Sequence, residues 1–210
     1  MKKSLVAVFA HPDDEAFGPG GSLIHFSKTH DVYLLCATNG NLAVRRGELL
    51  KSAKILGIKK VDWLNFSDGG LCNNNYHQLA EAIEKKLRRY RPETVLTFEP
   101  QGVSGHLDHV AVSLVTTFVV KKLKFVKRLL CFCELKSTMK LMRKSFGEYF
   151  IYVPPGYSRR EIGLVINTEA YWPRRVKAMA AHHSQRGDSN RIVKTLSQLP
   201  KKEHFIISTA

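Results

Sequence analysis

The stretch Leu5-Val6-Ala7-Val8-Phe9-Ala10-His11-Pro12-Asp13-Asp14-Glu15-Ala16-Phe17-Gly18-Pro19-Gly20-Gly21 decides how this chain is read. Its opening run, Leu5 to Ala10, is continuously apolar, the pattern of a strand buried on both faces of a parallel sheet. With Ser4 it predicts a strand over 4–10. The run gives way to His11, Asp13, Asp14 and Glu15, groups too costly to bury without a metal or a hydrogen-bonding role. Open α/β sheets place their ligand crevices at the C-terminal ends of strands, and these side chains would project there. Gly20-Gly21 then opens a helix over 22–28.

Outward from this stretch, strands and helices alternate. Apolar runs predict strands over 30–38, 61–66, 94–98, 128–135 and 162–167. Helical spacing predicts helices over 44–57, with Gly57 as C-cap, and over 76–90, where Leu79, Ala82, Ile83 and Leu87 share a face and Arg91-Pro92 ends the run. Two more helices are expected over 109–122 and over 170–183, the last with Pro173 in its first turn. The stretch 137–156 is basic, aromatic and weakly periodic, and reads as irregular or lid-like. This alternation predicts an α/β fold, Rossmann-like and three-layered, with a mostly parallel sheet and its site at the C-terminal strand ends. In the common strand order 3-2-1-4-5, strands 1 and 4 are neighbours. The loop after strand 4 carries a second polar cluster, Gly105-His106-Leu107-Asp108-His109, which would then face the first.

Size and composition agree with one soluble domain over residues 1–210: 44% of residues are hydrophobic and 24% charged. The balance of 33 Lys and Arg against 18 Asp and Glu gives a net charge of +15, which favours phosphate-rich partners and says nothing about fold. Cys36, Cys72, Cys131 and Cys133 show no metal-finger spacing and fit free thiols in a reducing compartment. Met1-Lys2-Lys3 imitates a signal peptide, but its apolar run stops at His11-Pro12-Asp13, and the apolar stretch at 110–120 is too short to span a bilayer. The expected location is cytoplasmic.

A catalytic divalent metal needs three protein ligands and an open position. His11, Asp13, Asp14, Glu15, His106, Asp108 and His109 are the candidates. Two histidines and a carboxylate suit zinc, and they equally describe a non-haem iron oxygenase site. Three ligands would leave a carboxylate and a histidine spare for proton transfer, and that surplus favours hydrolysis. His25, His30, His77 and His204 read as surface or core histidines.

The two clusters together resemble the LmbE/PIG-L family of metal-dependent N-acetylglucosamine-type de-N-acetylases. The similarity continues through Arg45-Arg46-Gly47-Glu48-Leu49-Leu50-Lys51-Ser52-Ala53 and returns at Lys177-Ala178-Met179-Ala180-Ala181-His182-His183-Ser184-Gln185. The resemblance implies that His11, Asp14 and His109 bind zinc and that Asp13 is the general base. It implies that His106, as imidazolium, stabilises the oxyanion and protonates the amine, while Asp108 orients a histidine. Arg45 and Glu48 would line the substrate pocket. The implied partner is a small amino-sugar conjugate, with an anionic group and self-association both left open, and no specific nucleic acid. Four features depart from the family pattern: Leu107 stands in place of proline, Asn167 in place of aspartate, the loop between Thr38 and Arg45 is short, and the segment 121–144 is strongly basic. A rival from another class is a basic-surface protein that binds nucleic acid or anionic membrane around a non-catalytic metal site. No RNA-binding signature, helix-turn-helix pattern or aromatic stacking stripe accompanies it.

Overall fold

The computed structural model describes residues 2–40, 43–146 and 152–209. In chain order its elements are β1 (Lys3–Phe9), α1 (Asp14–Phe17), α2 (Gly20–Ser27), β2 (His30–Thr38), α3 (Ala43–Leu56), β3 (Lys60–Phe66), α4 (Tyr76–Tyr90), β4 (Thr94–Phe98), α5 (Leu107–Lys122), β5 (Arg128–Cys133), α6 (Lys136–Phe146), β6 (Leu164–Asn167), α7 (Trp172–Ala180), α8 (Arg186–Ser197) and β7 (Lys202–Thr209). The strands form one seven-stranded sheet in the order β3-β2-β1-β4-β5-β7-β6. β1 to β5 run parallel, and β7 pairs antiparallel with both β5 and β6. The expected 3-2-1-4-5 order is therefore present, extended at one edge by β7 and β6.

β1 sits inside this sheet, and every residue from Leu5 to Ala10 is buried. Strand side chains alternate between faces. Leu5, Ala7 and Phe9 join a core with Leu23, Leu49, Leu56 and Met179, while Val6, Val8 and Ala10 join a second core with Leu79, Ile83, Leu87 and Val112. Helices α2, α3 and α7 thus cover one face, and α4 and α5 the other. The stripe on α4 shows why such helices form: Leu79, Ile83 and Leu87 are fully buried one turn apart, each contributing about 1.5–3 kcal/mol. Arg91 ends α4 at φ 44°, its N–H bonded to the Leu87 carbonyl.

Three expectations need correction. The stretch read as irregular contains α6, whose basic outer face hid the apolar pair Met139 and Met142; residues 147–151 of that stretch lie outside those described. The last helix was expected over 170–183, but α7 stops at Ala180 and the chain continues into α8 and β7. α5 begins at Leu107 rather than at 109, with His106 as its N-cap. Cys36, Cys131 and Cys133 are buried and Cys72 exposed, all four free. Among the described residues, no helix is long and apolar enough to cross a membrane.

Candidate active site

β1 and β4 are adjacent, so the loops that follow them meet above the sheet. On the β1 side His11 and Asp14 project from the turn that enters α1. On the β4 side His109 stands in the first turn of α5, its ring stacked on Phe98 with centroids 4.4 Å apart. Gly102 makes this approach possible: at φ +70°, a Cβ there would lie 2.6 Å from that of His109.

The polar atoms converge. His11 Nδ1 lies 3.1 Å from His109 Nε2, and the Asp14 carboxylate is 3.2 Å from His109 Nε2 and 3.8 Å from His11 Nδ1. Tetrahedral zinc with ligand bonds near 2.0–2.1 Å has ligand–ligand edges of about 3.3 Å, so this triangle fits a divalent cation. The histidines are also prepared for one. His109 Nδ1 lies 3.0 Å from the Gly102 carbonyl, so its proton is donated there and Nε2 presents a lone pair. His11 Nε2 meets Asp108 Oδ2 at 3.0 Å and Asp68 Oδ1 at 3.1 Å, which leaves Nδ1 facing the triangle. Holding the remote nitrogen of a ligand histidine in this way fixes its tautomer and direction. Asp108 accepts as well from the N–H groups of Gly69 and Leu71, and Arg45 holds Asp68 at 3.0 Å. Two other trios, His11 with His106 and His109, and His11 with Asp68 and Asp108, are also close enough for a cation. Their carboxylates and His106 Nδ1 are already taken by protein donors.

Asp13 lies beside the triangle. Arg45 Nη2 donates to its Oδ2 at 3.0 Å and to the Pro12 carbonyl at 2.8 Å. Burial and the adjacent Asp14 charge raise the Asp13 carboxyl above its ordinary range, against the pull of Arg45. Burial also opposes ionisation of Asp14; when His109 is protonated, its charge and hydrogen bond outweigh burial and hold Asp14 low. Burial lowers His106, and the charges of His11 and His109 add to this. Its geometry agrees: His106 Nδ1 accepts from the Asp108 N–H at 3.1 Å, which uses the lone pair an imidazolium lacks. An imidazolium at 106, as the resemblance implies, would have to give up this bond.

The cavity over these groups measures about 290 Å³. His11, Asp13, Asp14, Arg45, Asp68, His106 and His109 form its polar end. Phe132, Met139, Met142, Val153, Ile192 and Leu196 form an apolar wall. Arg45 reaches the cavity as expected. Glu48 does not line it; its carboxylate accepts from the Ser184 N–H at 2.8 Å and hydroxyl at 2.6 Å. The Asn167 side chain accepts from the Glu169 N–H and does not line the cavity. Sequence reasoning missed Asp68, an isolated aspartate in a polar loop with no spacing to mark it. It also missed Glu99, whose carboxylate accepts from the N–H groups of Gln101 and Val103 and from the Tyr157 hydroxyl. A glutamate directly after a buried strand was the available signal.

The family model described as GlcNAc-PI de-N-acetylase (PIG-L) matches residues 6–120. A probable N-acetylglucosaminyl-phosphatidylinositol de-N-acetylase of Schizosaccharomyces pombe is 33% identical over 120 residues, covering 52% of this chain and 48% of the relative. A 1D-myo-inositol 2-acetamido-2-deoxy-alpha-D-glucopyranoside deacetylase of Rhodococcus jostii is 29% identical over 157 residues, covering 57% and 54%. The chain spans about half the length of these two relatives. The structure of N,N'-diacetylchitobiose deacetylase from Pyrococcus horikoshii, bound to an inhibitor, matches with a TM-score of 0.75 over 99% of this chain and 84% of that one, at 20% identity, a likeness of fold. None of the three lends support to the rival reading of a nucleic-acid or membrane-binding protein with an idle metal site.

Proposed function

Because the chain belongs to the GlcNAc-PI de-N-acetylase (PIG-L) family, we propose that it is a zinc-dependent hydrolase releasing acetate from an N-acetylglucosamine-type conjugate. The observation that carries this reading is the triangle of His11 Nδ1, His109 Nε2 and the Asp14 carboxylate with a spare carboxylate, Asp13, at its side. His11, Asp14 and His109 would hold the metal. Zinc, when bound, supplies Lewis acidity that polarises an amide carbonyl and acidifies water.

The remaining chemistry belongs to the chain. Arg45 fixes Asp13 Oδ2, which leaves Oδ1 to take the proton of the attacking water. His106, with Nδ1 occupied by the Asp108 N–H, turns Nε2–H towards the carbonyl oxygen as negative charge gathers there. A neutral imidazole is too weak an acid to protonate an amine. The proton that Asp13 has taken is returned to the departing nitrogen, so the balance closes on one carboxylate. Asp108 keeps its second task of orienting His11. The cavity has the volume for one acetamido sugar, and the apolar wall would cover its C–H face or an apolar aglycone.

Acetate release from a panel of N-acetylglucosamine conjugates, with inositol, phosphate, carboxylate or lipid aglycones, tests this reading. At least one conjugate should be hydrolysed, with activity lost on chelation and restored by one equivalent of zinc. If the zinc-loaded protein hydrolyses no member of the panel, the deacetylase reading fails.

A further inference from the structure

Among the described residues, Asp13 has the most demanding backbone. It lies at φ 131° and ψ −26°, whereas the other non-glycine residues with positive φ, Asn65, Arg91 and Val103, lie between 44° and 63° in the ordinary left-handed region. A non-glycine residue so placed is strained and persists only where its surroundings over-determine it.

Those surroundings can be traced. The Asp13 N–H donates to Glu15 Oε2 at 3.0 Å, and the peptide before it is held through the Pro12 carbonyl by Arg45. Glu15 has no exposed surface, so its carboxylate depends on protein donors alone. Its other oxygen, Oε1, accepts from the Ser52 hydroxyl and from His182 Nε2 at 2.7 Å. His182 is itself buried, and among the described residues Nδ1 has no hydrogen-bond partner, so there Glu15 is the polar attachment of the ring. Two residues further on, Ser184 is bonded to Glu48 on α3, the helix that also carries Arg45 and Ser52. The segment after α7 thus grips both the catalytic turn and the helix behind it.

We infer that His182 is a positioning residue for Asp13: with Ser52 it holds the Glu15 carboxylate so that Oε2 pins the Asp13 N–H and keeps the Asp13 side chain aimed into the cavity. The inference rests on the reading of Asp13 as general base. It gives His182, which does not line the cavity, a task in catalysis exerted through Glu15 and Asp13.

Three variants test it: His182→Leu, which keeps bulk and removes the donor; His182→Gln, whose amide can replace Nε2–H; and Ser52→Ala, which removes the second donor. Loss of a partner that orients a site residue costs about 10–100-fold in activity. His182→Leu should therefore lower kcat by that amount with KM and zinc content unchanged, and its crystal structure should show Asp13 released from φ 131°. His182→Gln should recover most of the rate, a rescue that a role in packing alone would not give. Should His182→Leu fail to fold, Ser52→Ala is read by the same two measurements, with a smaller loss expected. The inference is overturned if Asp13 keeps its backbone in the folded variant, or if Gln is as slow as Leu. Inactivity of the wild-type protein on every conjugate would instead remove the functional reading, and the Asp13 backbone in the variant structure would still decide the positioning role.

Discussion

The loop after β1 and the loop after β4 each fold around a buried glutamate, but they draw its partners from different distances. Glu99 accepts from Gln101 and Val103 within its own loop, and from one distant group, the Tyr157 hydroxyl at 2.7 Å. Glu15 accepts from Asp13 within its loop, and otherwise from Ser52 and His182, 37 and 167 positions away. The β4 loop is thus largely self-templated: a carboxylate gathers its own amides, Gly102 takes the left-handed turn, and His109 is delivered on the rigid first turn of α5. The β1 loop holds a strained aspartate that no local sequence could maintain. A metal ligand tolerates placement by a regular helix. A proton acceptor beside a second carboxylate has to be turned away from it, and the chain reaches across the molecule to do so.

The largest effect should separate these tasks. Asp13→Asn keeps the size of the side chain and leaves His11, Asp14 and His109 in place, so zinc should still bind at one equivalent. The rate should fall by roughly two to four decades, the span of general acid–base catalysis. Metal analysis alongside kcat checks both halves. Near-full turnover would move the base to another carboxylate and with it the contrast between the loops.

Damage to the β4 clamp should have the opposite signature. Glu99→Gln replaces one acceptor by an amide donor facing a backbone N–H, which loosens the loop that presents His106 and His109. Zinc affinity should weaken by about 10–100-fold, while kcat at saturating zinc changes less. Tyr157→Phe removes one of the bonds to Glu99 and should cost only about 1 kcal/mol in denaturant unfolding. If Glu99→Gln lowers kcat with zinc affinity intact, the two loops do not divide the work in this way.

How much of this was legible in the sequence follows the same division. The buried run from Leu5 to Ala10 and the polar clusters after two strands fixed the sheet order and brought His11, Asp14 and His109 together, because strand-end loops in a parallel sheet have few places to go. Residues whose role depends on distant partners were not legible. Nothing near Glu15 marks it as the acceptor for His182, and nothing near Glu48 says that Ser184 will claim it. α6 was missed although Met139, Met142 and Phe146 keep the spacing of one helical face; they are few among basic and polar residues, and Met139 and Met142 face a cavity. β7 went unseen although it alternates Glu203 and Phe205 inward. Its buried charge is intelligible only beside distant donors: Arg175, which meets Glu203 Oε1 at 2.9 Å, and the N–H groups of Gly21 and Ser22 on α2, at 2.9 and 2.6 Å.

A third glutamate sharpens the comparison. Glu134, just past β5, lines the cavity as Glu15 and Glu99 support it, but no backbone N–H contributes to its titration. Burial pushes its carboxyl up to about 7; Arg175 opposes this, the Glu203 charge adds to it, and a hydrogen bond from Thr138 opposes it. The sign of the consequence is fixed. Between the ordinary value of 4.5 and about 7 the folded chain keeps a proton at Glu134 that the unfolded chain has released, so this group's stabilisation is full below 4.5 and is lost as pH rises to about 7. Glu134→Gln should remove that part of the slope. Measured as the difference in Tm between wild type and variant, the gap should favour the variant above pH 7 and shrink on acidification, at about 2–4 °C per kcal/mol for a chain of this size. A gap that does not change with pH would mean that burial does not hold a proton on Glu134, and that a cavity-facing glutamate needs no amide clamp.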